Sequence, residues 1–443
     1  MAEIIYNTHG TNGINRAEVT NNEELVVTTS AALGKELDTS SIAFADSLNF
    51  DAFQRFRVSE LLTLIDLKQI QGEQVLFIDE ELNGTATSTY STTGSMTTLS
   101  TTNSGDWIIN QTKQRFNYQS GKSHLIFMTF DNFENTTDIF KEIGYFNSDT
   151  SSPYSGGKDG ISFSTDGTDH YVRIYKSGVI RAELSRAGGD WLDPLDGTGE
   201  SGITIDFTKS NILAMDFQWL GVGRVRLAMD IGGLLVPFAV INNANVNDGV
   251  YMTSPNHSLR WELRQTGATP GTFDYICGSV NTEGTINTLG KVLSEDNGTT
   301  NISVANTGRK YVMFSIRLKQ TNLDAIIDVL DATFLSTSND NLLYNVYLNP
   351  TGMVGTLTHN DVDNSSVQVA KGNNTQYFTG EPTTGTKVES GYIKSNETFS
   401  TTIDNALRIG SNIDGTADEI VVTIQPLSTN ANVLPTIKWR ETI

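Results

Sequence analysis

The feature of this chain that most constrains its fold is a two-residue alternation of apolar and polar side chains, repeated in many short runs. Every second residue of Leu213–Trp219 is apolar, and the alternation resumes in Arg224–Ile231. Successive side chains of a β-strand point to opposite faces of the sheet, so each run can bury one face and leave the other polar. The two runs flank a connection that contains Gly221 and Gly223, and together they are predicted to form a β-hairpin.

The same alternation recurs over much of the chain. Further runs lie at 171–175, 179–184, 259–264, 312–318, 342–348 and 420–424. Short strands that are separated by turn residues, without helical periods between them, are typical of antiparallel sandwiches rather than of βαβ units. We therefore predict an all-β protein with two antiparallel β-sandwich (jelly-roll-like) domains.

The domain organisation follows from shifts in composition along the chain. Residues 1–50 mix Asn, Thr and Gly with short apolar pieces, and we interpret them as an extended N-terminal arm with one or two strands. The polar Gly/Pro stretch Thr266–Gly271 indicates a boundary between the two sandwiches. We therefore place the first sandwich at 51–265 and the second at 266–443.

Two stretches of the first sandwich depart from simple alternation. Ser59–Gln74 is the one place where a 3.6-residue apolar period fits, so a short helix is expected there. Residues 83–104 are rich in Thr, Ser and Gly and carry almost no charge, and the β-branched threonines favour strands.

Charge and cysteine content exclude several classes of protein. The chain carries 30 Lys and Arg against 51 Asp and Glu, a formal charge of −21, which argues against a nucleic-acid partner because such affinity requires basic residues. Cys277 is the single cysteine, so intrachain disulfides and cysteine-based metal clusters are excluded. No apolar run approaches the ~20 residues that span a bilayer, and the first residues lack the basic region of a secretory signal. We expect a protein made in the cytoplasm, with neither a membrane partner nor a cofactor.

The densest acidic cluster is a candidate cation site. Asp190, Asp193 and Asp196 lie in a loop that contains glycine, and Ca²⁺ prefers oxygen ligands of this type. The spacing of an EF-hand is absent, and Asp in such loops is also common at ordinary turns. A second interpretation of the same loop is a carboxylate pair that cleaves glycosidic bonds.

Common catalytic motifs are missing from the sequence. The five histidines are scattered, and no pair has the spacing of a zinc motif. Gly121-Lys-Ser123 resembles the end of a phosphate-binding loop, but the glycine that should open that loop is replaced by Phe116. We therefore predict no catalytic residue and no enzyme activity.

Two arginines of the predicted hairpin share a strand face and require acidic partners or solvent. Arg224 and Arg226 could pair with Asp216 across the hairpin, or they could contact another subunit, where arginine is enriched. Exposed tyrosines in polar loops, such as Tyr90, Tyr154 and Tyr377, could instead stack on sugar rings.

Several motifs resemble a family of tailed-bacteriophage virion proteins. The most specific is Asp51-Ala-Phe-Gln-Arg-Phe-Arg-Val-Ser59, which differs at Gln54 and Phe56 from the usual form of the family. Further similar pieces follow in order over most of residues 51–265: Gln111–Arg115, Tyr118–Ser123, Met128–Phe130, Gly144–Phe146, Asp216–Arg226 and, at the end of the chain, Trp439–Glu441.

The resemblance implies a structural component of a phage particle, located on the head, neck or tail. Its partners would be other virion proteins and further copies of the same chain, and residues 1–50 would dock on a neighbour by strand addition. Arg55 and Arg57 of the signature join Arg224 and Arg226 as candidate interface residues. One alternative is a carbohydrate-binding protein at the tail tip that recognises a host-surface glycan. A second alternative is a polysaccharide depolymerase.

Overall fold

The structure is a computed structural model with two compact units, Met1–Ser47 and Leu48–Ile443. It describes residues 6–7, 15–19, 25–27, 51, 57, 60–70, 72–148, 156–285, 290–403, 408–428 and 430–442. In the first unit, β1 (Tyr6–Asn7), β2 (Asn15–Val19) and β3 (Leu25–Val27) form an antiparallel three-stranded sheet. The described residues of the predicted arm therefore form three short strands, one more than expected.

The described residues of the first sandwich, which belongs to the second unit, form fifteen strands. They are β4 (Leu61–Lys68), β5 (Ile78–Asn83), β6 (Thr87–Ser91), β7 (Met96–Thr101), β8 (Trp107–Thr112), β9 (His124–Asp131), β10 (Ile139–Asn147), β11 (Asp159–Thr165), β12 (His170–Lys176), β13 (Val179–Ser185), β14 (Asn211–Phe217), β15 (Val225–Ile231), β16 (Leu234–Ile241), β17 (Leu259–Gln265) and β18 (Gly271–Glu283).

Two antiparallel sheets enclose one large core in this sandwich. One sheet has seven strands in the order β13-β12-β11-β10-β17-β8-β5, and the other has the order β16-β15-β14-β9-β18-β7-β6 with β4 on the edge of β18. Inward residues such as Ile143, Met215 and Trp261 are fully buried between the sheets. The predicted alternation thus places one face of each strand in the core.

The hairpin and the Thr/Ser strands of the first sandwich are confirmed. β14 pairs with β15, and Asp216 lies directly opposite Arg226. A Cβ added at Gly223 would lie 1.6 Å from the carbonyl oxygen of Gln218, so the tight connection accepts only glycine there. The uncharged tract at 83–104 forms β6 and β7, as its threonines predict.

The helix expected at 59–74 is wrong, because Leu61–Lys68 forms strand β4. Its apolar residues fit a helical period, but pairing with β18 supplies backbone hydrogen bonds along the whole segment. Ile65 and Leu67 then pack on the core from the sheet. Tertiary pairing therefore outweighs a weak local period.

The boundary predicted at 265/266 is placed too early. Strand β18, which follows Thr266–Gly271, pairs with β9 on one side and with β7 and β4 on the other. The Gly/Pro stretch is therefore a loop inside the first sandwich, which continues to Glu283.

In the described part of the second sandwich there are twelve strands. They are β19 (Gly290–Asp296), β20 (Ile302–Val304), β21 (Arg309–Leu318), β22 (Ile326–Ser336), β23 (Leu342–Thr351), β24 (Asn360–Asp361), β25 (Val367–Lys371), β26 (Tyr377–Thr379), β27 (Thr384–Ile393), β28 (Thr398–Thr402), β29 (Glu419–Pro426) and β30 (Ala431–Thr442).

Its two sheets enclose a separate core. One sheet has the order β19-β30-β22-β28, with β20 beside β30, and the other has the order β24-β25-β21-β29-β23-β27, with β26 beside β21. Buried residues of both sheets, such as Phe314, Val346 and Trp439, meet between them. The fold is therefore all-β with two antiparallel jelly-roll-like sandwiches, as predicted.

The sandwiches touch through two loops of the second, since Asn256 also donates to the carbonyl oxygen of Asp324 at 3.5 Å. Ile413 donates its backbone N–H to Asp79 of β5 at 2.7 Å, and Ser411 donates to the carbonyl oxygen of Lys113 at 3.1 Å. Among the described residues, no helix is long and apolar enough to cross a membrane.

Candidate functional site

The outer face of the seven-stranded sheet carries two glutamates side by side. Glu142 of β10 lies directly opposite Glu262 of β17, and their neighbours Ile143 and Trp261 point into the core. Both glutamates therefore point outward, yet they are only 8% and 2% exposed. Carboxylates at such low exposure require compensating partners.

Two cations neutralise this carboxylate pair. Lys158 forms ion pairs with both, at 2.5 Å to Glu262 and also with Glu142. Arg260, which precedes Glu262 by two residues on the same strand face, donates from Nε to the other oxygen of Glu262 at 2.6 Å. The two glutamates, Lys158 and Arg260 thus form a compact network of alternating charges on this face of the sheet.

Hydrogen bonds keep Glu142 ionised. Burial raises the pKa of its carboxyl group, but the Lys158 ammonium and the hydroxyls of Ser162 and Tyr175 outweigh burial and lower that pKa below its ordinary value. Ser162 donates to Glu142 Oε1 at 2.7 Å and Tyr175 at 2.9 Å. Glu142 can therefore accept hydrogen bonds near neutral pH, but it is poorly suited to release a proton.

A small hollow of about 30 Å³, open to solvent, lies above the network. It is lined by Phe140, Lys141, Glu142, Ser164, Thr165, Arg173 and Glu262. Arg173 is held in place by bonds from Nη1 to the Ser164 hydroxyl at 3.0 Å and from Nε to Glu183 at 2.6 Å. Acceptors and a guanidinium donor therefore converge on one recess.

Aromatic rings border the same recess. The Arg264 guanidinium lies 4.5 Å from the ring centre of Phe140, and the Arg173 guanidinium lies 4.1 Å from that of Tyr171. Beside Glu142, Gly144 adds no side chain, and a Cβ there would lie 2.3 Å from the carbonyl oxygen of Ile161. The face thus combines flat apolar rings with fixed polar groups, a composition suited to small polar ligands.

In the acidic loop predicted as a cation site, the carboxylates accept hydrogen bonds from nearby backbone N–H groups. Asp190 accepts the N–H of Ser185 at 3.0 Å, and Asp193 accepts that of Leu195 at 2.9 Å. Asp196 similarly accepts the N–H of Thr198 at 2.9 Å. Within the part of the chain that the structure describes, no group of three or more acidic, His or Cys side chains is arranged to hold a metal. The three aspartates therefore stabilise the turns of their own loop.

Two of the four candidate interface arginines are largely buried on the outer face of the eight-stranded sheet. Arg226 is fully buried and pairs with Asp216, which is the cross-hairpin contact considered from the sequence. Arg57 also pairs with Asp216, and its side chain is 9% exposed. Neither side chain is free to contact another subunit. Arg224 is half-buried, and burial followed by the charge of Arg226 lowers its pKa to about 10. Arg55 lies outside the described residues.

Arg57 and Asp51 also connect two motifs that are far apart in sequence. Arg57 donates to Glu283 at 2.9 Å in addition to Asp216, and Asp51 accepts a hydrogen bond from Gln218 at 3.4 Å. The signature that begins at Asp51 therefore contacts the Asp216–Arg226 motif on the outer face of the eight-stranded sheet. The sequence shows both motifs but not their contact.

The loop tyrosines considered for sugar stacking are engaged by the chain itself. Tyr90 donates its hydroxyl to the carbonyl oxygen of Gln69 at 2.8 Å. Tyr377 packs between the ring of Tyr311 and the guanidinium of Arg309, 4.0 Å from the ring centre. Tyr154 lies outside the described residues.

A serine, a histidine and a glutamate meet in the second sandwich without forming a catalytic triad. Ser315 Oγ lies 2.8 Å from His359 Nε2, and Glu419 approaches the same nitrogen at 3.3 Å. In a triad the carboxylate orients the imidazole through the opposite nitrogen. Ser315 is also fully buried, so it offers no access to a substrate.

The residues of the recess were not singled out in the sequence. The alternation at 259–264 does place Glu262 between Arg260 and Arg264 on one face of a strand. Its partner Glu142 lies on another strand, 120 residues earlier. A charged residue at the centre of a strand whose alternate residues are apolar is the signal that could have found each of them.

No protein-family model and no curated protein matches this chain. Among solved structures, a Bacillus licheniformis beta-glucanase shares 13% identity at a TM-score of 0.33, covering 52% of this chain and 98% of its own. The carbohydrate recognition domain of Emp47p shares 11% at 0.31, covering 50% of this chain and 95% of its own. The exoplasmic/lumenal domain of VIP36 shares 12% at 0.33, covering 52% of this chain and 100% of its own. Similarity at this level does not assign a function.

Proposed function

We propose that this protein binds a carbohydrate in the recess on the outer face of the seven-stranded sheet. The observation that carries the proposal is the convergence of two ion-paired glutamates, a fixed arginine and flanking aromatic rings on one hollow. Sugar hydroxyls both donate and accept hydrogen bonds, so Glu142, Glu262 and Arg173 can bind them.

We further propose that the site binds without cleaving. Acid-catalysed cleavage of a glycosidic bond requires a carboxylic acid with a raised pKa beside a second carboxylate. The pKa of Glu142 is lowered instead, and Lys158 bridges Glu142 to Glu262. This arrangement supports a binding protein rather than a depolymerase.

A glycan array with the full-length protein tests the proposal. Arg173→Ala removes the guanidinium from the recess and should abolish saturable binding to the glycans that the wild type recognises. Arg317→Ala is the matched control, since Arg317 is a half-buried arginine in the second sandwich that bonds Gln368 at 3.0 Å. Absence of any bound glycan, or equal binding by the Arg173→Ala variant, would contradict the proposal.

A second candidate function is a structural role in a tailed-phage virion. It is supported by two contacts, Asp51 with Gln218 and Arg57 with Asp216. These contacts join the two most specific motifs of the resemblance in one part of the structure. In this proposal, residues 1–50 dock on a neighbouring virion protein and the recess contributes host recognition.

The structural role is tested in assembled particles. A chain that lacks residues 1–50 should fail to be incorporated, while the Arg173→Ala variant should be incorporated normally and lose only glycan binding. Normal incorporation of the shortened chain would exclude docking through these residues.

A further inference from the structure

The recess on the outer face of the seven-stranded sheet has room for only part of a sugar. Its hollow measures about 30 Å³. One water molecule needs about 10–15 Å³ of such space, so the hollow holds about two or three water-sized groups. A sugar ring must therefore lie at the mouth of the hollow, and only a substituent of the ring can enter. The chemistry of the lining then decides which substituent is preferred.

The charges around the hollow balance one another. Each charged side chain that lines the hollow pairs with an opposite charge: Lys141 with Glu134, Glu142 with Lys158, Arg173 with Glu183, and Glu262 with both Lys158 and Arg260. A carboxylate that entered would lie beside the two lining glutamates, and an ammonium group would lie beside Arg173. Either charge would meet a like charge in a network that is already neutralised. The lining therefore favours a neutral substituent.

The same lining offers hydrogen-bond donors and acceptors together. Arg173 donates from Nε to Glu183 and from Nη1 to Ser164, and among the described residues nothing accepts a hydrogen bond from its Nη2. The Ser164 hydroxyl accepts from Arg173 and keeps its own hydrogen for a further bond. Glu262 binds one cation at each carboxylate oxygen, and such an oxygen accepts more than one hydrogen bond. The preferred substituent is therefore one that both accepts and donates.

We propose that the hollow binds the acetamido group of an N-acetylated sugar, an inference that rests on the proposed function. An acetamido group is neutral, accepts at its carbonyl oxygen, donates at its N–H and ends in a methyl group. Its carbonyl oxygen accepts from Arg173 and Ser164, and its N–H donates to Glu262. The methyl group lies against the ring of Phe140, which also lines the hollow. A sugar hydroxyl is neutral as well, but it lacks the methyl group and fills less of the space.

A glycan array with matched members tests the substituent. Each set carries one glycan in three forms, with an N-acetylhexosamine, the corresponding hexose or the free amino sugar at the same position. The full-length protein should bind the N-acetylated form at least about tenfold more tightly than the hexose, because the hexose leaves polar groups of the lining unpaired. Equal binding of these two forms, or tighter binding of the amino sugar, would overturn the acetamido group as the ligand and leave carbohydrate binding intact. Absence of saturable binding to every glycan would contradict the proposed function itself.

Replacement of Ser164 tests the hollow. Ser164→Val removes a hydroxyl donor and fills part of the space, and a β-branched side chain suits strand β11. The variant should bind N-acetylated glycans at least about tenfold more weakly and lose the preference over hexose. Ser294→Val is the matched control, since Ser294 is exposed on strand β19 of the second sandwich and should bind as the wild type does.

Thermal unfolding shows whether both serine variants fold. A folded Ser164→Val variant that keeps the wild-type preference for N-acetylated glycans would overturn the proposal. If Ser164→Val does not fold, the matched glycans decide on the wild type alone.

Discussion

Charged and polar side chains in this protein are buried mainly where a second polar group meets them from another strand. Glu142 and Glu262 lie on an outer sheet face, yet Lys158 makes their low exposure tolerable. Two histidines of the first core follow another rule, since His124 and His170 each donate one ring N–H to a backbone carbonyl. Neither has a carboxylate partner in that bond, so burial favours the neutral ring.

The histidines predict a loss of stability in mild acid. Burial, which is the largest cause, lowers the pKa of both His124 and His170 from 6.5 to about 4. Above pH 6.5 both rings are neutral in the folded and unfolded chains, so they add no pH dependence. Between pH 6.5 and 4 only the unfolded chain takes up the protons, and stability falls as the pH falls. The loss should approach about 3 kcal/mol per histidine at pH 4.

Urea unfolding between pH 7.5 and 4.5 measures this effect. The double variant His124→Phe and His170→Phe should lose stability at every pH, because two hydrogen bonds are missing, but its free energy of unfolding should depend less steeply on pH. Equal slopes for the variant and the wild type would assign the acid sensitivity to other groups.

At the scale of elements, the Asp51 signature contacts the β14–β15 hairpin. These segments are far apart in the sequence, so local sequence patterns do not predict their contact. Arg57 lies between Asp216 and Glu283, which belong to neighbouring regions of the eight-stranded sheet. The alternation in β14 assigns Asp216 to the outer face, and the Arg57 guanidinium covers it there. The outer face of this sheet is therefore partly an intramolecular contact surface.

Replacement of Arg57 should destabilise the protein. Arg57→Ala removes one ion pair from Glu283 and one from the buried Asp216, so we expect the free energy of unfolding to fall by about 2–3 kcal/mol. Lys394→Ala is the control, because Lys394 is 73% exposed in its pair with Glu397 and its removal should change stability by less than about 0.5 kcal/mol. Denaturant unfolding compares the two, and equal effects would show that Arg57 has no special structural role.

At the scale of the whole molecule, β18 decides where the first sandwich ends. It is thirteen residues long and pairs with three strands. The sequence offers a turn-rich stretch just before it, and a turn inside a sandwich looks the same as a turn between sandwiches. Only the pairing partners distinguish the two.

Truncation of the chain tests this boundary. A chain of residues 1–284 retains β18 and should unfold cooperatively in urea. A chain of residues 1–265 lacks the strand that holds β4, β7 and β9 together, so it should show neither a cooperative transition nor the near-ultraviolet circular dichroism of a packed core. A cooperative transition in the shorter chain would favour the earlier boundary at 265/266.

The sequence predicts more of the fold than of the candidate site. Hairpins such as β14–β15 depend on neighbours in sequence, and their alternation and Gly223 are visible in the chain. The helix expected at 59–74 failed because β4 obtains its hydrogen bonds from β18, more than two hundred residues later. The carboxylate pair of the recess was not predicted for the same reason, since Glu142 and Glu262 meet only through the register of β10 and β17.

The sequence by itself determined that this chain forms strands, that their apolar faces close two cores, and that its charge disfavours nucleic acid. The strands and cores follow from the two-residue alternation of apolar and polar side chains, which is a local property. The charge follows from composition, which is a sum over residues. The tertiary structure alone decided which strands pair, where the first sandwich ends and which charges become buried neighbours. These depend on strand register between distant segments, and a shift of one residue would move each of these side chains to the opposite face of its sheet.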